Sequence, residues 1–100
     1  MKVFYHATPL DNIDKLLIDG IKAGPDGLIY MCEEPDESAR FLVVRGIKRI
    51  GVVEIKIPKR YENNIEETFD HSPIFFKCRA FGYFGNIPSD WVSPDCKFEL

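Results

Sequence analysis

Phe4-Tyr5-His6-Ala7-Thr8-Pro9 opens the stretch that decides the fold, which continues through Asp26-Gly27-Leu28-Ile29-Tyr30-Met31 to Pro35-Asp36-Glu37-Ser38-Ala39-Arg40-Phe41. Lys2 to His6 alternates as a short strand, with Phe4 and His6 on one face and Val3 and Tyr5 on the other. Thr8 has the chemistry of a helix N-cap, and Pro9 suits the first helical position, where its missing N–H costs nothing. Leu10, Ile13, Leu16 and Leu17 then form an apolar stripe at helical spacing. Gly20 is placed to end that helix in a left-handed conformation, with Ile21 folding back on Leu16. Gly24-Pro25-Asp26-Gly27 is a turn, and Leu28 to Cys32 a second strand. Pro35 and the acids Glu33, Glu34, Asp36 and Glu37 mark the start of a second helix, whose positive end they complement. That helix pairs Asp36 with Arg40, buries Ala39, Leu42 and Val43, and ends by Gly46.

Outward from this stretch, Gly51 to Ile57 alternates cleanly. Val53, Ile55 and Ile57 point in, Val52, Glu54 and Lys56 point out, and Pro58 stops the ladder. Arg60 to His71 reads as a polar loop with room for a short strand or helical turn. An aromatic run from Ile74 to Phe84 follows, with a bend or bulge at Gly82. Ile87 to Trp91 is a loop or short helical turn, and Cys96 to Leu100 a last strand with Cys96, Phe98 and Leu100 inward. Two early helices and later strands in succession predict an α+β domain with a mostly antiparallel sheet, residues 1–100 forming one unit.

A net charge of −3 argues against broad electrostatic binding of nucleic acid. Lys48-Arg49 and Lys59-Arg60 could still line a local groove. Cys32, Cys78 and Cys96 are odd in number and widely spaced, which disfavours a zinc site and suits a reducing, cytoplasmic setting. No apolar run is long enough for a transmembrane helix. No Gly-x-Gly-x-x-Gly loop is present, so a Rossmann dehydrogenase is disfavoured.

His6-Ala7-Thr8, Gly27-Leu28-Ile29-Tyr30 and Ser38-Ala39-Arg40-Phe41 resemble, in order and spacing, the front half of the ADP-ribosyltransferase superfamily of toxin- and PARP-like enzymes. Asn86-Ile87-Pro88-Ser89-Asp90 is similar to the segment before that family's final strand. Ala7 departs from the pattern, since it stands where the family has glycine. The resemblance implies a small split β-sheet binding NAD as substrate in a cleft between its halves. It implies a mono-ADP-ribosyltransferase acting on a protein or nucleic-acid target. His6 would then hydrogen-bond the adenosine ribose, Thr8 orient it, and Tyr30 stack on nicotinamide. Ala7, Gly27, Ala39 and Phe41 would complete the NAD site.

Each residue also has a plainer role. His6 suits a sheet edge, Thr8 a cap, Tyr30 cross-strand packing and Phe41 the core. The family's catalytic glutamate has no counterpart in Phe76 to Phe81, so Asp70 is the nominated carboxylate, with Glu54 second. Three alternatives stay open. The first is a catalytically silent module binding NAD or ADP-ribose, and the second an RNA 2′-phosphotransferase-like enzyme using Lys77 and Arg79. The third is a small interaction protein that uses its aromatic run.

Overall fold

A computed structural model of the protein describes residues 1–68 and 80–100. The elements are β1 (Lys2–Pro9), α1 (Ile13–Asp19), β2 (Leu28–Cys32), α2 (Pro35–Val43), β3 (Arg49–Ile57), β4 (Ile65–Thr68), β5 (Ala80–Phe84) and β6 (Val92–Glu99). Short 3-10 turns precede α1, β4 and β6. This is an α+β fold. Its strands form one antiparallel sheet in the order β4-β5-β2-β1-β3-β6. No helix among the described residues is long and apolar enough to cross a membrane.

The sheet is uneven. β1 pairs with β3 along its whole length, from Lys2 opposite Ile57 to Pro9 opposite Ile50. β2 pairs with β5 from Leu28 opposite Phe84 to Cys32 opposite Ala80. Between these two ladders the register holds one pair, Tyr5 opposite Cys32. The two ladders belong to one six-stranded sheet, joined through this short β1–β2 pairing.

Two cores hold this arrangement. On one face Phe4, Ile29, Met31, Val53, Ile55, Ile57 and Tyr83 are buried, with Ile13, Leu16 and Leu17 of α1 packed against them. Burying each such isoleucine contributes roughly 1.5–3 kcal/mol. On the other face Ala39 and Leu42 of α2 cover Ile50 and Val52. Val52 was expected to point to solvent. It is buried because α2 lies over that end of β3, and the outward face begins only at Glu54.

Several other local expectations are corrected. Thr8 does not cap a helix. It is a buried β1 residue opposite Gly51, and Pro9 ends the strand, because β3 extends back to Arg49 and supplies partners for the longer ladder. Asp36 does not pair with Arg40; Glu37 does, one position along, at 3.6 Å. Val43 is exposed, since the buried face of α2 runs through Ser38, Ala39 and Leu42. Gly82 makes no bulge and pairs regularly with Tyr30 and Glu66. The irregularity lies instead between Val52 and Val53, where β6 shifts register. Cys96 and Leu100 are exposed, because β6 is an edge strand that α2 does not cover at those positions, and Phe98 is partly buried. Ile74 to Arg79 lie outside the described residues.

Gly20 ends α1 with φ 77°, its N–H donating to the Leu16 carbonyl at 2.9 Å. Beyond it Ile21 and Ile87 exchange backbone hydrogen bonds of 2.8 and 2.9 Å. A methyl group at Gly20 would collide with the Ile87 carbonyl oxygen, whereas Gly27, with φ 80°, has open space around it. Gly27→Ala should therefore cost only the backbone strain, about 1–2 kcal/mol. Gly20→Ala adds a backbone clash and should cost at least about 3 kcal/mol. Urea denaturation midpoints at constant slope check the ranking.

Candidate functional site

Where β1 and β2 part, a cleft of about 600 Å³ opens, within the range of small-molecule sites. His6 and Ala7 of β1 form one wall and Leu28 to Cys32 the other. Ser38, Phe41 and Leu42 of α2 close one side, and Lys22 and Arg45 contribute cationic side chains from the loops after the two helices. The lining is mainly apolar with a few polar groups, as in small-molecule sites generally.

His6 and Tyr30 meet directly. His6 Nδ1 lies 2.8 Å from the Tyr30 carbonyl oxygen. A carbonyl only accepts, so Nδ1 carries the proton and, in the neutral ring, Nε2 is an acceptor. Burial holds the imidazole below its ordinary value, opposed in part by the Tyr30 hydrogen bond. At neutral pH the cleft thus offers an uncharged histidine whose second ring nitrogen can accept a hydrogen bond.

The Tyr30 phenol is also tied down. Its hydroxyl donates to Asp26 Oδ2 at 2.5 Å, while Asp26 Oδ1 accepts the Leu28 N–H at 3.0 Å. The turn carrying Asp26 is braced by Asn86, whose Oδ1 accepts the Ala23 N–H at 2.9 Å. Gly85 braces it too, donating its N–H to the Gly27 carbonyl at 2.9 Å.

Of the residues nominated from the sequence, His6, Ala7, Tyr30 and Phe41 line the cleft. Thr8, Gly27 and Ala39 do not. Thr8 and Ala39 are buried in the layers on either side, and Gly27 serves the turn. Glu54 sits on β3 opposite Tyr5, with Lys56 at 3.6 Å, away from the lining. Asp70 lies outside the described residues. Sequence reasoning missed Ser38, Lys22, Arg45 and Asp26. Only Asp26 carried a signal: an aspartate in a turn commonly accepts the backbone N–H two residues on, as it does here from Leu28 at the start of β2. Desolvation first and then Asp95 push the exposed Cys96 thiol up to about 11, which keeps it protonated at neutral pH.

Comparison with family models, characterised proteins and solved structures finds no match to this chain.

The His6 environment sets a pH dependence. The unfolded chain binds the imidazole proton more readily than the folded one. The stability contribution of His6 is therefore complete above the ordinary value of 6.5 and is lost as pH falls through it toward the depressed folded value. His6→Gln, which keeps a donor but does not titrate, should remove that part of the slope. Urea denaturation of both proteins between about pH 7.5 and 5 measures it, and imidazole NMR shifts should report a neutral ring at the ordinary value of 6.5.

Proposed function

We propose that the cleft binds NAD and that the protein is a mono-ADP-ribosyltransferase acting on a protein or nucleic-acid target. The observation that carries this reading is the His6–Tyr30 contact between two residues that line the cleft beside the short β1–β2 pairing. In this reading His6 Nε2 accepts a hydrogen bond from the adenosine ribose. The Tyr30 ring stacks on nicotinamide, flat face against flat face. Lys22 and Arg45 lie within reach of the diphosphate, a local positive field on a chain of net charge −3. In the transfer the bond between nicotinamide and ribose C1′ breaks, nicotinamide leaves with the bonding pair, and an acceptor nucleophile bonds C1′ and loses its proton. NAD as substrate, with an odd set of widely spaced cysteines, suits a cytoplasmic setting.

A second reading rests on its own observation. Among the described residues that line the cleft there is no carboxylate, while an oxocarbenium-like transition state calls for negative charge nearby. That favours a silent module that binds NAD or ADP-ribose without cleaving it. Asp70, the carboxylate nominated for the enzyme, decides between the two readings.

NAD at about a hundred times its dissociation constant should stabilise the fold by about 2.7 kcal/mol, seen as a raised melting temperature. Lys22→Glu combined with Arg45→Glu should weaken NAD at least about tenfold, with nicotinamide alone unaffected, because only the dinucleotide carries the charge those residues meet. No melting shift at millimolar NAD and no NMR perturbation at His6 or Tyr30 would sink the nucleotide reading.

Label transfer from NAD into crude lysate, with nicotinamide release, tests the enzyme. Asp70→Asn should then lower turnover at least about a hundredfold while leaving NAD affinity nearly unchanged. Wild-type protein that binds NAD but releases no nicotinamide with any acceptor establishes the silent module.

A further inference from the structure

Tyr30 is held at two ends, by groups from different parts of the fold. Its carbonyl accepts from His6 Nδ1 at 2.8 Å, and its phenol donates to Asp26 Oδ2 at 2.5 Å. The Asp26 carboxylate is itself fixed, because Oδ1 accepts the Leu28 N–H at 3.0 Å. The turn beneath it is closed by the Gly27 N–H on the Gly24 carbonyl at 2.9 Å and the Gly24 N–H on the Leu28 carbonyl at 3.1 Å. Asp26 is exposed, and burial accounts for none of this order. The hydrogen bonds from Tyr30, first, and from Leu28 hold its carboxyl below the usual carboxylate range, so it is ionised at neutral pH and a strong acceptor.

We propose that Asp26 is a positioning residue of the cleft: its carboxylate locks the Tyr30 ring in the orientation that lines the cleft, ready to receive a flat heteroaromatic ring. A tyrosine on a strand rim without such an anchor rotates about its first side-chain torsion and loses that freedom only when a ligand arrives. An anchored ring has already lost it, so the ligand binds more tightly with no new contact. The lock itself stands on the geometry. That it serves the nicotinamide ring rests on the NAD reading above.

Substitution separates the lock from a merely structural turn. Asp26→Asn keeps one oxygen for the Leu28 N–H and turns an amide N–H toward the phenol oxygen, so the Tyr30 contact is kept with its direction reversed. Asp26→Ala removes both contacts, and Tyr30→Phe removes the hydroxyl alone. Aromatic NMR couplings of Tyr30 in the free protein should show one fixed rotamer in the wild type and in Asp26→Asn, and averaging in Asp26→Ala. In the Tyr30→Phe protein the substituted ring should average as well, and this variant leaves the turn intact. Titration with NAD should give about a threefold to tenfold weaker affinity for Asp26→Ala and for Tyr30→Phe, near wild-type affinity for Asp26→Asn, and no further loss in the double variant. A Tyr30 rotamer that stays fixed in Asp26→Ala, or losses that add in the double variant, overturns the proposal. Absence of NAD binding by the wild type would overturn the nucleotide reading instead, and the couplings would still decide the lock.

Discussion

Beyond the single pairing of Tyr5 with Cys32, the β1 and β2 backbones separate, and the remaining architecture follows from how that gap is tolerated. Where a strand leaves its neighbour, its carbonyl and N–H groups are costly unless something answers them. At Tyr30 the His6 side chain reaches across from β1 to the carbonyl, where a continuous ladder would have used backbone. The histidine thereby joins two half-sheets at a place where their backbones have parted. Reading His6 as a polar residue at a sheet edge and reading it as a cleft residue describe the same geometry. The edge is the wall of the cleft, and one ring nitrogen, Nδ1, closes it.

Much of this fold was legible because its signals are local. β2 was read to the residue, from Leu28 to Cys32, since a turn ends at Gly27 and acids begin at Glu33. The stripe of Ile13, Leu16 and Leu17 was legible because helical period and burial agree. What failed was whatever depended on a partner distant in sequence. Thr8 and Pro9 have sound helix-start chemistry, and only the backward reach of β3 to Arg49 turns them into strand. That reach is invisible where Lys48-Arg49 reads only as a basic pair that could line a local groove. Val52 alternates like an outward residue, and nothing near it announces that α2 will cover it.

The site divides in the same way. The order of motifs placed His6, Ala7, Tyr30 and Phe41 around one cleft, yet it put Thr8 and Ala39 there too. Chain order specifies a neighbourhood. Which side chain turns into the gap is set by strand parity and by the phase of α2 against the sheet. Lys22 and Arg45 lie in loops without periodicity, and only the folding of both helices onto the sheet carries them to the same cleft.

Electrostatics then separates binding from bond breaking. A diphosphate is held by positive charge, whereas cleavage at the ribose is helped by negative charge that acts on the transition state. Around this cleft the described side chains supply the first and not the second. Asp26 is close to Tyr30, but its two oxygens are engaged by the phenol and by the Leu28 N–H, which makes it a holder of geometry. Glu54 lies on β3 beside Lys56, outside the lining. If the cleft takes NAD as proposed, recognition would rest on residues of β1, β2 and α2 and the loops that follow the helices, independently of any carboxylate needed for catalysis. On the proposed reading, transfer activity would turn on one acidic residue while the cleft, the His6–Tyr30 contact and the Tyr30–Asp26 contact stay as they are.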